Sequence, residues 1–203
     1  MIHARYRLSF TTGGLLVREA GVAARLYQSS RDWAKVRAVI NTENGLQART
    51  VASAHRLARE VIQRLGELTE EEIDVLVDAT ATERGHLLWV AACRRYDLIG
   101  EFAEEVLRER FLLMNPTLGP EIFDSFVQAK SLWHQELDGL AASTRQRLRS
   151  NLFLMLKEAS MMTEGRNIAQ SVLSDRVSTL LTARTPSDIR FFPAHDASKA
   201  RPR

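Results

Sequence analysis

Apolar residues recur at intervals of three and four along most of this chain, which is the spacing of one face of an α-helix. The pattern is clearest in residues 54–65, whose apolar positions are Ala54, Leu57, Ala58, Val61, Ile62 and Leu65. Two short pieces differ, and we expect a small hairpin in residues 161–168 and an extended segment in residues 189–193. Pro and Gly, which interrupt helices, are scarce at 5 and 10 residues. The sequence therefore predicts an all-α fold.

Polar capping residues mark where several of these helices begin. Thr69-Glu70-Glu71-Glu72 has the spacing of a capping box, in which the side chains of Thr69 and Glu72 each accept a hydrogen bond from the other residue's backbone N–H. We expect Ser30, Thr82 and Ser174 to cap the helices that follow them.

Two prolines divide the helical pattern near its middle. Asn115-Pro116 ends one helical stretch, and Gly119-Pro120 begins the next. We therefore predict two small helical domains, an N-terminal one over residues 1–115 and a C-terminal one over residues 116–193. Residues 194–203 form a basic tail of small residues that we expect to be disordered.

The longest uninterrupted apolar stretch is Leu87–Cys93, far short of the roughly 20 residues that a membrane-spanning helix needs. Its surroundings are apolar on more than one face, which favours a helix at the centre of the core. Residues 1–7 contain no apolar segment of the kind that secretory signals carry. We expect a cytoplasmic protein with no membrane insertion.

Candidate catalytic and metal-binding patterns are few. Glu83 and His86 have the spacing of one bundle metal-ligand pair, but the second copy that a di-metal site requires is absent. The single cysteine, Cys93, lies in the apolar stretch, where thiols act as small hydrophobic groups. The Thr11-Thr12-Gly13-Gly14 turn lacks the Lys-Ser/Thr ending of a P-loop, so we interpret it as a capping turn of the first helix. We predict no metal, no cofactor and no enzymatic activity.

Charge is distributed in three blocks, although the net charge of the chain is only +3. Residues 1–66 carry eleven basic and four acidic side chains, residues 67–142 carry six and sixteen, and residues 143–203 carry eleven and five. Arg accounts for 24 of the 28 basic residues, and its guanidinium is the better bidentate ligand for phosphate. Two basic blocks around an acidic centre indicate a protein that binds a polyanion.

The segment from Ser30 to Arg64 is the first candidate nucleic-acid-binding element, because a short helix, a turn and a longer helix resemble a helix-turn-helix unit. With the apolar face of the longer helix turned inward, Glu60 and Gln63 are expected on its outer face beside the basic residues. Side chains near the start of such a helix reach DNA bases or phosphates. The candidate contacts are Lys35, Arg37, Arg49, Thr50, Ser53, Arg56 and Arg59. An ordinary solvated helix face is the alternative interpretation.

A second basic feature begins the helix after residue 142. Arg145 and Arg149 lie four residues apart on one face of this helix, and Arg147 points elsewhere. Three positive charges near a helix N-terminus oppose the helix dipole, so this segment needs either an anionic ligand or acidic residues of the same chain. The predicted hairpin that follows is typical of winged-helix proteins, and Arg166 would lie on its wing.

Several strings of residues together resemble the BrxA family, the small component of the bacteriophage-exclusion (BREX) defence systems. None of them is a catalytic motif, and the resemblance depends on their number and order along nearly the whole chain to Pro193. The strings are Leu8-Ser9-Phe10-Thr11-Thr12-Gly13-Gly14, Leu46-Gln47-Ala48-Arg49-Thr50, His86-Leu87-Leu88-Trp89, Cys93-Arg94-Arg95-Tyr96, Ile99-Gly100-Glu101-Phe102, Glu105-Val106-Leu107-Arg108-Glu109-Arg110-Phe111 and Arg190-Phe191-Phe192-Pro193.

The resemblance implies a non-enzymatic, all-helical protein of two small domains that binds double-stranded DNA. It also implies that the protein works with a methyltransferase, a phosphatase-like protein and ATPases of the same defence system. Two alternatives remain open from the residues themselves. One is a helical module that binds RNA, and the other is an assembly adaptor whose acidic centre docks on partner proteins.

Overall fold

The computed structural model describes residues 5–42, 45–46 and 49–195, and within them the fold is built from helices. A π-helical segment spans Ala103–Arg108, and a short 3-10 helix spans Asp188–Phe191. The α-helices are α1 (Val17–Ser30), α2 (Trp33–Thr42), α3 (Val51–Leu65), α4 (Glu70–Asp78), α5 (Ala81–Arg95), α6 (Asp97–Phe102), α7 (Glu109–Leu112), α8 (Pro120–Ser131), α9 (Gln135–Asp138), α10 (Ala142–Glu158) and α11 (Asp175–Thr182). The all-α prediction is confirmed.

Helix α5 lies at the centre of the molecule. Every residue from Gly85 to Cys93 is buried, as expected from the apolar stretch in this segment. Helices α1, α3, α4, α6, α10 and α11 all contact α5. Trp89 is fully buried, and its Nε1 donates a 2.9 Å hydrogen bond to the carbonyl oxygen of Phe191 near the end of the described chain.

The first three helices pack pairwise against one another, and the ring of Tyr27 on α1 stacks on that of Trp33 on α2 at 4.0 Å. Four of the eight residues between α2 and α3 lie outside the described part of the chain. Helices α2 and α3 follow each other and pack together, as the predicted helix-turn-helix unit requires. That the two helices form a helix-turn-helix unit stays a prediction.

The capping box at Thr69 and Glu72 is confirmed, with both reciprocal hydrogen bonds formed. The expected cap at Thr82 is wrong. Helix α5 begins two residues earlier, because Thr80 accepts from the Glu83 N–H and Glu83 accepts in return from the Thr80 N–H.

The expected cap at Ser30 is also wrong. Asp32 caps α2, since its Oδ1 accepts from the N–H groups of Ala34 and Lys35, whereas the Ser30 hydroxyl donates to its own helix. Ser174 is the N-cap residue of α11, as predicted, but its hydroxyl donates to Glu83 at 2.7 Å instead of accepting from a helix N–H.

A tight turn follows α10 where the hairpin was predicted. Met162 and Ile168 form an antiparallel bridge, and Asn167 bridges to Thr117 ahead of α8. The prediction of an extended segment over residues 189–193 is wrong for its first three residues, because they belong to the 3-10 helix Asp188–Phe191. The Ser187 hydroxyl caps the N-terminus of this 3-10 helix by accepting from the Ile189 N–H.

Buried apolar residues from both sides of the proposed boundary at residue 115 form one cluster around α5. The division into two domains stays a prediction. Of the proposed tail, Ala194 is buried and the ring of His195 lies 5.0 Å from that of Phe111. Residues 196–203 lie outside the described part of the chain.

We expect the stability of the fold to fall at acidic pH through Glu83. The Arg176 guanidinium, followed by the Ser174 hydroxyl and the Thr80 N–H, holds the pKa of this carboxyl well below its ordinary value of 4.5. A depressed folded-state pKa contributes stability above the unfolded value and loses it as pH falls. Thermal unfolding from pH 6 to pH 3 should therefore show a smaller loss of melting temperature in Glu83→Gln than in the parent. Equal losses would contradict this role.

Candidate nucleic-acid interface

Helix α3 presents its N-terminal half to solvent. Thr50 caps the helix by accepting from the Ser53 N–H at 3.1 Å, and the two hydroxyls also bond each other at 3.0 Å. His55, Arg56 and Arg59 are exposed on the face opposite the buried apolar residues. Thr50 and Ser53 were both predicted to bind DNA, but their hydroxyls already form hydrogen bonds at the N-terminus of α3.

The expected position of Glu60 on the outer face is wrong. Glu60 is buried, and its Oε1 accepts from Arg64 Nε at 2.8 Å and from the hydroxyl of Tyr96. This internal pair removes the one acidic side chain that would have lain beside the arginines on the outer face of α3. The outer face is consequently more positive than the sequence pattern indicated.

A groove of about 380 Å³ runs between α2 and α3 and is called here the α2–α3 groove. Its lining residues are Arg37, Asn41, Ala52, His55, Arg56 and Arg59. Lys35, also predicted as a contact, is exposed on α2 but does not line this groove.

A second groove of about 360 Å³, called here the loop–α10 groove, lies where α3, α10 and the loop before α1 meet. Arg56 of α3 and Arg147 of α10 line it together. The loop and α10 add the remaining lining residues, Thr11, Thr12, Gly13 and Asn151. Since Arg56 belongs to both grooves, it connects the N-terminal basic block with the C-terminal one.

Arg145 and Arg149 lie on another side of α10, as the four-residue spacing predicted. They line a recess with Asp124 and Leu140, and Arg149 Nη1 lies 2.5 Å from Asp124 Oδ2. The internal pairing that was the alternative for this segment is therefore present at Arg149. Arg145 has no acidic partner among the described residues, and its Nε is buried without a hydrogen bond.

Two further candidates lie outside both grooves. Arg49 is exposed just before α3. Arg166 is exposed in the turn after α10, where its φ of 58° is left-handed and its carbonyl oxygen accepts from the Leu118 N–H at 2.8 Å. The structure brings neither side chain together with the α2–α3 or loop–α10 groove.

Ion pairing separates the arginines of the grooves from those of the core. Arg94 pairs with Glu72 and Asp188, and Arg176 pairs with Glu83. Across the described residues, the following predicted contacts have no ion pair: Lys35, Arg37, Arg49, Arg56, Arg59, Arg145, Arg147 and Arg166. Carboxylates of the described acidic block, residues 67–142, therefore pair with other cations, and the arginines of the two grooves are available to an external anion.

Sequence reasoning missed the uncharged members of the loop–α10 groove. Asn151 lies four residues after Arg147 on the same helix face, a spacing that was available in the sequence. Thr11 and Thr12 were interpreted as a capping turn, and this is wrong. Helix α1 begins only at Val17, and its N-cap is Leu16, which makes no side-chain capping bond.

The candidate metal ligands and the cysteine lie away from the grooves. Within them, no three His, Cys, Asp or Glu side chains are placed to hold a metal ion. Burial lowers the pKa of His86 and raises the pKa of the Cys93 thiol, so each is held in its neutral form. No helix in this part of the chain is long and apolar enough to cross a membrane.

Comparison with known proteins agrees with the resemblance noted in the sequence. A BREX protein BrxA from Paramagnetospirillum magneticum is 23% identical over 166 residues, covering 82% of this chain and 83% of the relative. A BREX protein BrxA from Escherichia coli O9:H4 is 26% identical over 154 residues, covering 76% and 72%.

The crystal structure of an uncharacterized protein from Magnetospirillum magneticum has the same fold, with a TM-score of 0.83 at 21% identity. The match covers 94% of this chain and 100% of that one. The family model for BrxA matches residues 4–185, which is most of the length of the chain. The chain therefore belongs to the BrxA family.

Proposed function

We propose that the protein is a non-enzymatic accessory component of a BREX phage-defence system that binds double-stranded DNA through the α2–α3 and loop–α10 grooves. The observation that carries this proposal is that Arg56 joins the two grooves and that their arginines have no acidic partner in the described chain. Membership of the BrxA family supports the defence role.

The chemistry of the grooves favours the nucleic-acid backbone over the bases. Guanidinium groups bind phosphate oxygens bidentately and release condensed counterions from the duplex. Among the described residues, neither groove is lined by Phe, Tyr or Trp, and the imidazole of His55 in the α2–α3 groove is the one ring on which an unpaired base could stack. Backbone contacts of this kind supply affinity with little sequence information.

The test is the affinity of the purified protein for a fluorescent duplex, measured by anisotropy across a salt series. We expect the logarithm of affinity to fall steeply and linearly with the logarithm of salt concentration, as counterion release requires. Unlabelled duplex DNA should compete better than structured RNA. Salt-insensitive or absent DNA binding would contradict the proposal, and preferential competition by RNA would favour an RNA-binding module.

The α2–α3 groove yields a separate prediction. Arg37→Gln combined with Arg59→Gln should weaken duplex binding and reduce the magnitude of the salt slope by about 1.8, since each lost phosphate contact removes about 0.9. The matched control is Arg25→Gln with Arg184→Gln, which removes the same charge at exposed positions outside both grooves. If both pairs changed the slope equally, net charge rather than the groove would determine binding.

One surface favours a second candidate function, the assembly adaptor. Leu113 and Met114 are 74% and 81% exposed at the end of α7, next to Leu112, which lines a groove with Glu104 and Glu109. Exposed apolar residues with a charged border are typical of protein-binding surfaces. Co-purification with the BREX methyltransferase, phosphatase-like protein or ATPases should be lost in Leu113→Ser with Met114→Ser. Retained co-purification would argue against this surface.

A further inference from the structure

The loop of Thr11, Thr12 and Gly13 carries hydrogen-bond donors that have no partner among the described residues. They are the two threonine hydroxyls and the backbone N–H groups of Thr11 and Gly13. Both threonines are only partly exposed, and they line the loop–α10 groove. These donors are therefore available to a water molecule or a ligand in the groove.

Both ends of this loop are fixed by the two helices that flank the groove. Asn151 of α10 donates from Nδ2 to the Phe10 carbonyl at 2.9 Å, and Arg64 of α3 donates from Nη1 to the Gly14 carbonyl at 2.6 Å. Phe10 is fully buried, which anchors the chain just before the loop. Gly13 has a φ of +70°, a left-handed conformation that favours glycine. The loop is therefore held in one geometry before any ligand arrives.

The groove that this loop faces is positive, and no carboxylate of the described residues lines it. Its lining adds Arg56 and Arg147, neither of which has an ion-pair partner in the described chain, to the donors of the loop. A tetrahedral phosphate group has several oxygen acceptors and can receive hydrogen bonds from guanidinium, hydroxyl and backbone N–H groups together. Two unpaired guanidinium groups beside the donors of the loop therefore favour an anionic ligand with several acceptor oxygens.

We propose that the loop–α10 groove is a discrete binding site for one phosphate group, held by Thr11, Thr12, Gly13, Arg56 and Arg147. The ligand is a phosphodiester of the DNA backbone, and in this respect the inference rests on the proposed function. In this site one phosphate contacts an arginine from each basic block, Arg56 and Arg147. The α2–α3 groove contributes further positive charge beside it. A free phosphate or phosphate monoester shares this chemistry and is distinguished by the second experiment below.

The first experiment is a double-mutant cycle measured on duplex DNA. Thr11→Val with Thr12→Val removes both hydroxyls while keeping the side-chain shape, and Arg147→Gln removes one charge. Each change should weaken binding about tenfold, because hydrogen bonds to a charged group are involved. Combined, they should weaken it by clearly less than about a hundredfold, because both contact the same phosphate.

The control cycle uses Arg59→Gln in place of Arg147→Gln. Because Arg59 lies in the α2–α3 groove, its effect on DNA affinity and that of the valine variant should multiply. Since the threonine hydroxyls bond nothing among the described residues, the valine variant should keep the parental melting temperature. Multiplicative effects in both cycles would overturn the discrete site while leaving DNA binding in place.

The second experiment needs no DNA. The phosphorus-31 NMR line of inorganic phosphate should broaden when the parent protein is added at constant ionic strength, and the valine double variant with Arg147→Gln should abolish the broadening. An unchanged phosphorus-31 line, together with multiplicative effects in both double-mutant cycles, would refute the phosphate site but not the proposed DNA binding. Specific broadening without any DNA binding would refute the proposed function and identify a site for a free phosphate-bearing molecule.

Discussion

Arg56→Glu combined with Arg147→Glu is expected to weaken duplex DNA binding by about a hundredfold or more, since each reversal loses a phosphate contact and adds like-charge repulsion. These two side chains belong to the loop–α10 groove, and Arg56 also lines the α2–α3 groove. The double reversal therefore acts on the one place where both basic blocks meet. The salt slope should fall with the affinity, which anisotropy at several salt concentrations measures directly.

A matched control isolates position from net charge. Arg25 is exposed on α1, and within the described part of the chain its guanidinium bonds only the Gly21 carbonyl of its own helix, at 3.1 Å. Arg25→Glu should change affinity by less than about threefold, whereas each single reversal at Arg56 or Arg147 should cost about tenfold or more. Parental affinity and slope in the double reversal would show that DNA binds elsewhere. Arg56 and Arg147 make no ion pair in the described chain, so the variants should fold normally.

The position of individual helices could be predicted well from local patterns. The capping box at Thr69 and Glu72 and the buried segment Leu87–Cys93 both depend on residues close together in the chain. Glu60 shows where this reasoning fails. Its place in the α3 pattern indicated an exposed carboxylate, but Tyr96 and Arg64 both donate to it and hold it inside. The contribution of Tyr96 depends on tertiary packing, which periodicity does not encode.

The candidate site could be predicted only in pieces. Helical spacing correctly separated Arg147 from Arg145 and Arg149, but it did not indicate which elements would lie opposite each face. In the structure Arg149 pairs with Asp124 on α8, and Arg147 lines the loop–α10 groove together with Arg56 of α3. The loop at Thr11 and Thr12 was assigned to a helix start that lies several residues further on. Contacts between distant segments decide the site, and the sequence alone does not specify them.

We expect the stability of the fold to depend on the buried guanidinium of Arg94. Arg94 has a side chain only 6% exposed, and it lies 2.6 Å from Glu72 and 2.7 Å from Asp188, each 2% exposed. It also donates to the Glu67 carbonyl at 2.9 Å. These contacts tie α4 and α5 to the 3-10 helix near the end of the described chain.

Arg94→Met is expected to lower the free energy of unfolding at pH 7 by about 3–5 kcal/mol, because it leaves the buried Glu72 carboxylate without an ion-pair partner and removes the nearest cation from Asp188. Asp188 keeps two more distant partners, Arg190 at 3.4 Å and Arg184 at 3.9 Å. Denaturant unfolding followed by circular dichroism measures this loss. Its neighbour provides the control. The Arg95 side chain is 20% exposed and lies 3.5 Å from Glu67, so Arg95→Met should cost about 0–1 kcal/mol through its ion pair.

Comparison of the two variants separates a lost ion pair from a simple loss of packing. If the loss of stability in Arg94→Met were no larger than that in Arg95→Met, Arg94 would contribute mainly through its aliphatic contacts.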